Sequence, residues 1–181
     1  KYFQSSGAIS VDFGEYTPVL KGLTAKAMVS YDYRMDNNES YRKEYYQYAY
    51  DENTQTYNQK LFNSSSPSRL HREFYDKSQV LGQFTLNYNR TFNSAHNVGA
   101  VIGWEVQKRQ GDNFYATRDL AFSMPYLLAG VDEGQVGGMN SGNNDLYEHA
   151  NEALIGRINY AYNDRYLLEA QFRYDGSSKF A

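Results

Sequence analysis

The chain has 181 residues, a net charge of −3 and no cysteine. That fits one ordinary domain, and it excludes a disulfide-stapled scaffold, thiolate metal sites, cysteine catalysis and a basic nucleic-acid-binding face. Mean hydropathy is −0.76 and no apolar run approaches the roughly 20 residues of a spanning helix, which excludes a helical membrane protein. Tyrosine occurs 19 times and aromatics make up 17% of the chain, whereas Leu, Ile, Val and Phe are sparse for a packed core; this points to β-structure with wet surfaces.

Side chains alternate faces along a strand, so a period of 2 in hydropathy marks a strand with one apolar and one polar face. The first such segment covers 7–13, with Gly7, Ile9, Val11 and Phe13 opposing Ala8, Ser10 and Asp12. The second is the longest, over 23–35: Leu23, Ala25, Ala27, Val29, Tyr31, Tyr33 and Met35 oppose Thr24, Lys26, Ser30, Asp32 and Arg34, with Met28 the one exception. A third covers 80–89, with Val80, Phe84, Leu86 and Tyr88 against Gln83, Thr85, Asn87 and Asn89. A fourth covers 97–107, with Val98, Ala100, Ile102, Trp104 and Val106 against Asn97, Gly99, Glu105 and Gln107; Val101 breaks its polar side. The fifth sets Leu154, Ile158, Tyr160 and Tyr162 against Arg157 and Asn159. The sixth sets Tyr166, Leu168, Ala170, Phe172 and Tyr174 against Arg165, Glu169, Gln171 and Arg173. Six long strands are predicted, where strands of globular proteins average about 5–6 residues.

The connections alternate too. Short ones fall near 15–22, 93–96 and 163–165, and long ones over about 36–74 and 116–151. Structureless loops of that length argue against a compact soluble domain. Tight turns at one end and long loops at the other are the plan of an outer-membrane barrel. The first long loop is expected to hold its own hairpin, 44–50 with 56–61. On the apolar side, Phe13, Tyr88, Phe92, Tyr160, Tyr162 and Tyr166 sit beside the short turns, and Tyr31, Tyr33, Trp104, Phe172 and Tyr174 toward the long loops. Between them lie Ala and aliphatic residues, so the aromatics bracket an apolar band. Charged residues keep to the polar face except Arg90 and Lys108 near strand ends, where long side chains snorkel. Lys1 and Ala181 both fall mid-pattern, as expected of a section of a longer chain.

The C-terminal stretch carries a resemblance. Leu154, Gly156, Arg157, Asn159, Tyr160, Tyr162 and Asp164-Arg-Tyr-Leu-Leu168 are followed by Arg173 and Asp175-Gly-Ser-Ser-Lys-Phe180. This run resembles a barrel segment of SusC/RagA-type TonB-dependent transporters; Pro18-Val-Leu-Lys-Gly-Leu23 and Ser30-Tyr-Asp-Tyr33 fit the same family more loosely. The resemblance implies an antiparallel up-and-down transmembrane barrel of about 22 strands around a plug. It implies import of oligosaccharides or peptides, driven by the TonB complex and assisted by a SusD-like lipoprotein, in the cell outer membrane. Residues 1–181 read as part of the barrel domain, about six strands without plug or TonB-contacting box.

On that reading Thr24, Lys26, Ser30, Asp32, Arg34, Arg157, Asn159, Glu169 and Arg173 line the lumen, and the opposite face meets outer-membrane lipid. Their mixed charges suit neutral or zwitterionic solutes. Tyr41, Tyr45, Tyr46, Tyr48 and Tyr50 form a tyrosine-rich loop that either contacts ligand by stacking or packs the loop, packing being favoured. No catalytic residues, cofactor or metal site are expected. His71, His96 and His149 are widely spaced, Asn140-Ser-Gly-Asn-Asn-Asp145 misses the spacing of a calcium loop, and no Gly-x-Ser-x-Gly elbow is present. The apolar run 122–130 is expected to anchor its loop, with a short helix from Pro125 as the other reading. The alternative for the whole chain is a soluble carbohydrate-binding β-sandwich.

Overall fold

The computed structural model describes residues 1–142 and 144–179. Phe180 of the C-terminal motif and Asn143 of the 140–145 segment lie outside the described residues.

The strands are β1 (Tyr2–Asp12), β2 (Leu23–Arg42), β3 (Tyr46–Asp51), β4 (Thr56–Leu61), β5 (Arg69–Phe92), β6 (His96–Asp119), β7 (Val136–Gly138), β8 (Tyr147–Tyr162) and β9 (Tyr166–Ser177). The six predicted strands are β1, β2, β5, β6, β8 and β9. They lie side by side in that order in one antiparallel up-and-down sheet, with β7 added to β6. The sandwich alternative needs two sheets packed face to face about 10 Å apart. The six long strands instead share a single sheet.

The chain divides into two units. One comprises 1–34, 77–110 and 147–181, and the other 35–76 and 111–146. The first holds the two-faced parts of the long strands and all three short connections. Between β1 and β2, 3-10 turns at Phe13–Glu15 and Pro18–Leu20 reverse the chain, and Asp12 Oδ1 accepts from Gly14 N at 2.8 Å. Gly22 closes that connection at φ 89°, where a Cβ would overlap the Asn89 carbonyl. Only glycine fits such a site. The other two turns place Asn93, Ser94, Asn163 and Asp164 at φ between 48° and 55°. That hand matches the twist of the flanking strands, and Asn and Asp tolerate it best.

The second unit holds the only multi-residue buried cluster among the described residues: Leu70, Leu120 and Ala129, with Tyr41 and Leu127 packed against it. The expected hairpin is present as β3 paired with β4. Run 122–130 forms one 3-10 turn, Leu127–Ala129, and no helix starts at Pro125. Leu127 and Ala129 do anchor the segment, while Leu128 is 94% exposed.

The strands run further than the alternation predicts. β2 continues to Arg42, β5 begins at Arg69, and β6 extends to Asp119, so the intervals outside these strands are shorter than 36–74 and 116–151. These extensions belong to the second unit, where neither face of a strand must be apolar, so hydropathy carries no period there.

Candidate functional site: the polar face of the sheet

Residues that face each other across an antiparallel ladder point to the same side of the sheet. The β1–β2 register pairs Asp12 with Thr24, Ser10 with Lys26, Ser6 with Ser30, Gln4 with Asp32 and Tyr2 with Arg34. The β8–β9 register pairs Ile155 with Arg173, Arg157 with Gln171, and Asn159 with Glu169. Side-chain contacts carry that face across the middle strands. Gln79 Nε2 donates to Asp32 Oδ2 at 3.4 Å, and Gln83 Nε2 to Glu105 Oε2 at 2.5 Å. A Cβ on Gly103 would meet both Thr85 and Ile155, and one on Gly99 would meet Asn159.

All nine residues read as lining a lumen therefore share one face. The structure adds Gln4, Asp12, Gln79, Gln83, Glu105 and Gln171 to it, and the same alternation that found the nine also marks Asp12, Gln83, Glu105 and Gln171 in the sequence. Charges of both signs interleave there: Arg173 holds Asp175 through Nε at 2.9 Å and Nη2 at 2.8 Å. Opposite charges within a face satisfy one another without a neighbouring protein layer.

The other face collects the apolar set: Val11 with Ala25, Ile9 with Ala27, Ile158 with Ala170, and Leu154 with Tyr174. It is uncovered. Ile9 is 73% exposed, Leu168 70% and Ile158 53%. Aromatics gather near the short turns, where His96 packs on Tyr160 and Tyr162 with Nδ1 2.6 Å from the Tyr160 hydroxyl. The Phe172 ring occupies the space that a side chain at Gly156 would take. Polar exceptions are matched locally. Arg90 donates to the Val19 carbonyl at 3.2 Å and lies over Phe92, and Lys108 pairs with Glu148 at 2.5 Å. Glu152 is an exception that the alternation overlooks; it accepts from Trp104 Nε1 at 2.6 Å.

The loop tyrosines do not form one surface. Tyr41 packs on the Leu70 cluster, and Tyr45 stacks on Phe62 at 5.0 Å. Tyr46, Tyr48 and Tyr50 occupy alternate positions of β3, with Tyr50 against Tyr57, and all are more than half exposed. The second unit is held by polar staples. Arg69 pairs with Asp119, the Nε–Oδ1 distance being 2.5 Å, and Arg118 with Asp132. The Arg69 hydrogen bonds hold the Asp119 carboxyl below the usual carboxylate range. Asn113, 2% exposed, donates to the carbonyls of Asn140 and Asp145 and accepts from Asn140 N at 2.6 Å. Among the described residues no cluster of His, Asp and Glu is arranged to hold a metal.

No protein-family model matches the chain. It is 34% identical over 97 residues to TonB-dependent receptor P39 of Formosa agariphila, a match covering 52% of this chain and 9% of the relative. It is 28% identical over 109 residues to TonB-dependent receptor P3 of the same organism, covering 60% of this chain and 11% of the relative. The chain thus spans about a tenth of the length of these curated relatives. Its fold is similar to a section of the RagAB peptide transporter, with a TM-score of 0.68 and 20% identity over 99% of this chain and 18% of that one. Against the RagAB peptide importer in its closed-closed state the TM-score is 0.69 at the same coverage. Sequence relatives and fold agree with the resemblance carried by the C-terminal stretch: the chain is similar to a barrel section of SusC/RagA-type TonB-dependent transporters.

Proposed function

We propose that this chain is part of the wall of an outer-membrane TonB-dependent transporter, its apolar face against lipid and its polar face against the translocation lumen. The observation that carries the reading is the separation of the two faces. An apolar sheet face left uncovered over six adjacent strands marks an interaction surface, and a bilayer is the partner whose extent and chemistry fit. Edge groups of β1 and β9 are then paired by further strands, since open edges are not tolerated in lipid.

The solute is a peptide or oligosaccharide passing the face lined by Thr24, Lys26, Ser30, Asp32, Arg34, Arg157, Asn159, Glu169 and Arg173. RagAB, the fold neighbour, is a peptide transporter, which favours peptides. A SusD-like lipoprotein and the TonB complex are the partners of the full-length protein in this reading. The role is passage, with no catalytic step assigned to any residue.

The test uses source cells and an antibody to 36–74. The expected product is an outer-membrane band several times 20.9 kDa whose mobility changes on boiling. Reversing the charges of Arg157, Glu169 and Arg173 in that product is expected to slow peptide uptake. A band near 20.9 kDa outside the membrane fraction contradicts the proposal.

A further inference from the structure

Where the two-faced segments end toward the long loops, cations gather on the polar face. Arg34 of β2, Lys77 of β5 and Arg109 of β6 line one cavity of about 220 Å³ with Asp32 and Gln79. Tyr2 of β1 and Tyr147 of β8 line it at the two sides. Tyr2 faces Arg34 directly in the ladder, so the lining crosses five adjacent strands. All these residues belong to the first unit. Elsewhere on this face acids and bases alternate; here three cations surround one carboxylate. Gln79 donates to Asp32 Oδ2, and no donor among the described residues reaches Asp32 Oδ1, which is buried.

We infer that this cavity is a subsite for acidic side chains of a peptide in transit. The inference rests on the peptide reading above. Arg34 and Arg109 stand two strand spacings apart, roughly 10 Å, and their long side chains reach inward. Acidic residues two apart on an extended peptide lie about 7 Å from each other, within that reach. Guanidinium groups hold carboxylates in a forked geometry. The flanking Tyr2 and Tyr147 offer hydroxyls and ring faces.

The experiment presents the full-length receptor in detergent with a defined peptic digest of one protein and identifies retained peptides by mass spectrometry. Peptides with two or more acidic residues are expected to be enriched about fivefold, the scale of one exposed charge pair. The enrichment is expected to fade in high salt. Lys77→Gln with Arg109→Gln is expected to abolish it, and Arg109→Lys, which keeps the charge, to retain most of it. Heat-modifiable mobility establishes that each variant is folded; if the double variant fails this check, Arg34→Gln replaces it. Retention of peptides without acidic preference, or a preference unchanged in the folded variants, overturns the subsite and leaves the peptide reading standing. Retention of no peptide by any form overturns both.

Discussion

Asn113 reads in the sequence as one more polar residue in a polar stretch, yet it is the side chain that holds the backbone of Asn140 and Asp145. Its amide meets two carbonyls and one backbone N–H drawn from Asn140 and Asp145. Nothing local in the sequence signals this, because its partners lie 27 and 32 positions away. Asn113→Ala strands those buried groups at a cost of about 1–3 kcal/mol. Limited proteolysis is expected to cut 139–146 roughly tenfold faster or more in that variant. Arg69 and Asp119 are likewise invisible as a pair, 50 positions apart. Asp119 has a folded pKa below its unfolded value, so its contribution to stability is complete above the unfolded value of about 3.9 and is lost as pH falls through the folded one. Hydrogen exchange at the Leu120 N–H, bonded to the Ser68 carbonyl at 2.8 Å, reads this locally. After correction for intrinsic rates, protection is expected to hold from pH 7 to 5 and fall below about 4. Asp119→Asn is expected to remove that acid-dependent fall.

At the scale of the element, β8 and β9 display how a strand states its two environments. Ile158 and Ala170 pair on one face, and one residue along, Asn159 and Glu169 pair on the other. Ile158→Arg is therefore expected to cost about 2–4 kcal/mol in folding into lipid vesicles, and Asn159→Arg to be close to neutral. Equal costs at the two positions would contradict the assignment of faces. Because the alternation is imposed by those environments, it made the six strands legible, together with the turns at 93–96 and 163–165. It was silent where the environments end. Arg69, His71 and Glu73 continue β5, and the strand there is held by ladder bonds and side-chain pairs such as His71 with Thr117 at 2.6 Å. The nine polar-face residues were readable for the same reason. Lys77, Arg109 and Tyr147 were not, since each lies beyond the alternating stretch.

For the whole molecule, exposure is the informative quantity. The accessible surface is 13323 Å², where a folded globular chain of 20.9 kDa exposes about 9,000 Å². The excess belongs largely to a sheet with both faces open, a form stable when lipid covers one face and further strands cover the edges. The two-faced segments come slightly under the apolar band of a bilayer in length. From Tyr166 to Tyr174 a strand rises about 26 Å, or about 20 Å along the normal at a 40° tilt, against an apolar band of about 25 Å. Barrel closure and partner proteins have no signature among the described residues. Site-directed spin labelling tests the central claim most directly. In the full-length receptor reconstituted in vesicles, single labels are placed one at a time at 157–160 and 168–171. Labels at 158, 160, 168 and 170 are expected to collide with dissolved oxygen, and those at 157, 159, 169 and 171 with a water-soluble nickel chelate, giving a period of 2 along both strands. Equal access of the chelate to both sets would contradict a wall with one face in lipid.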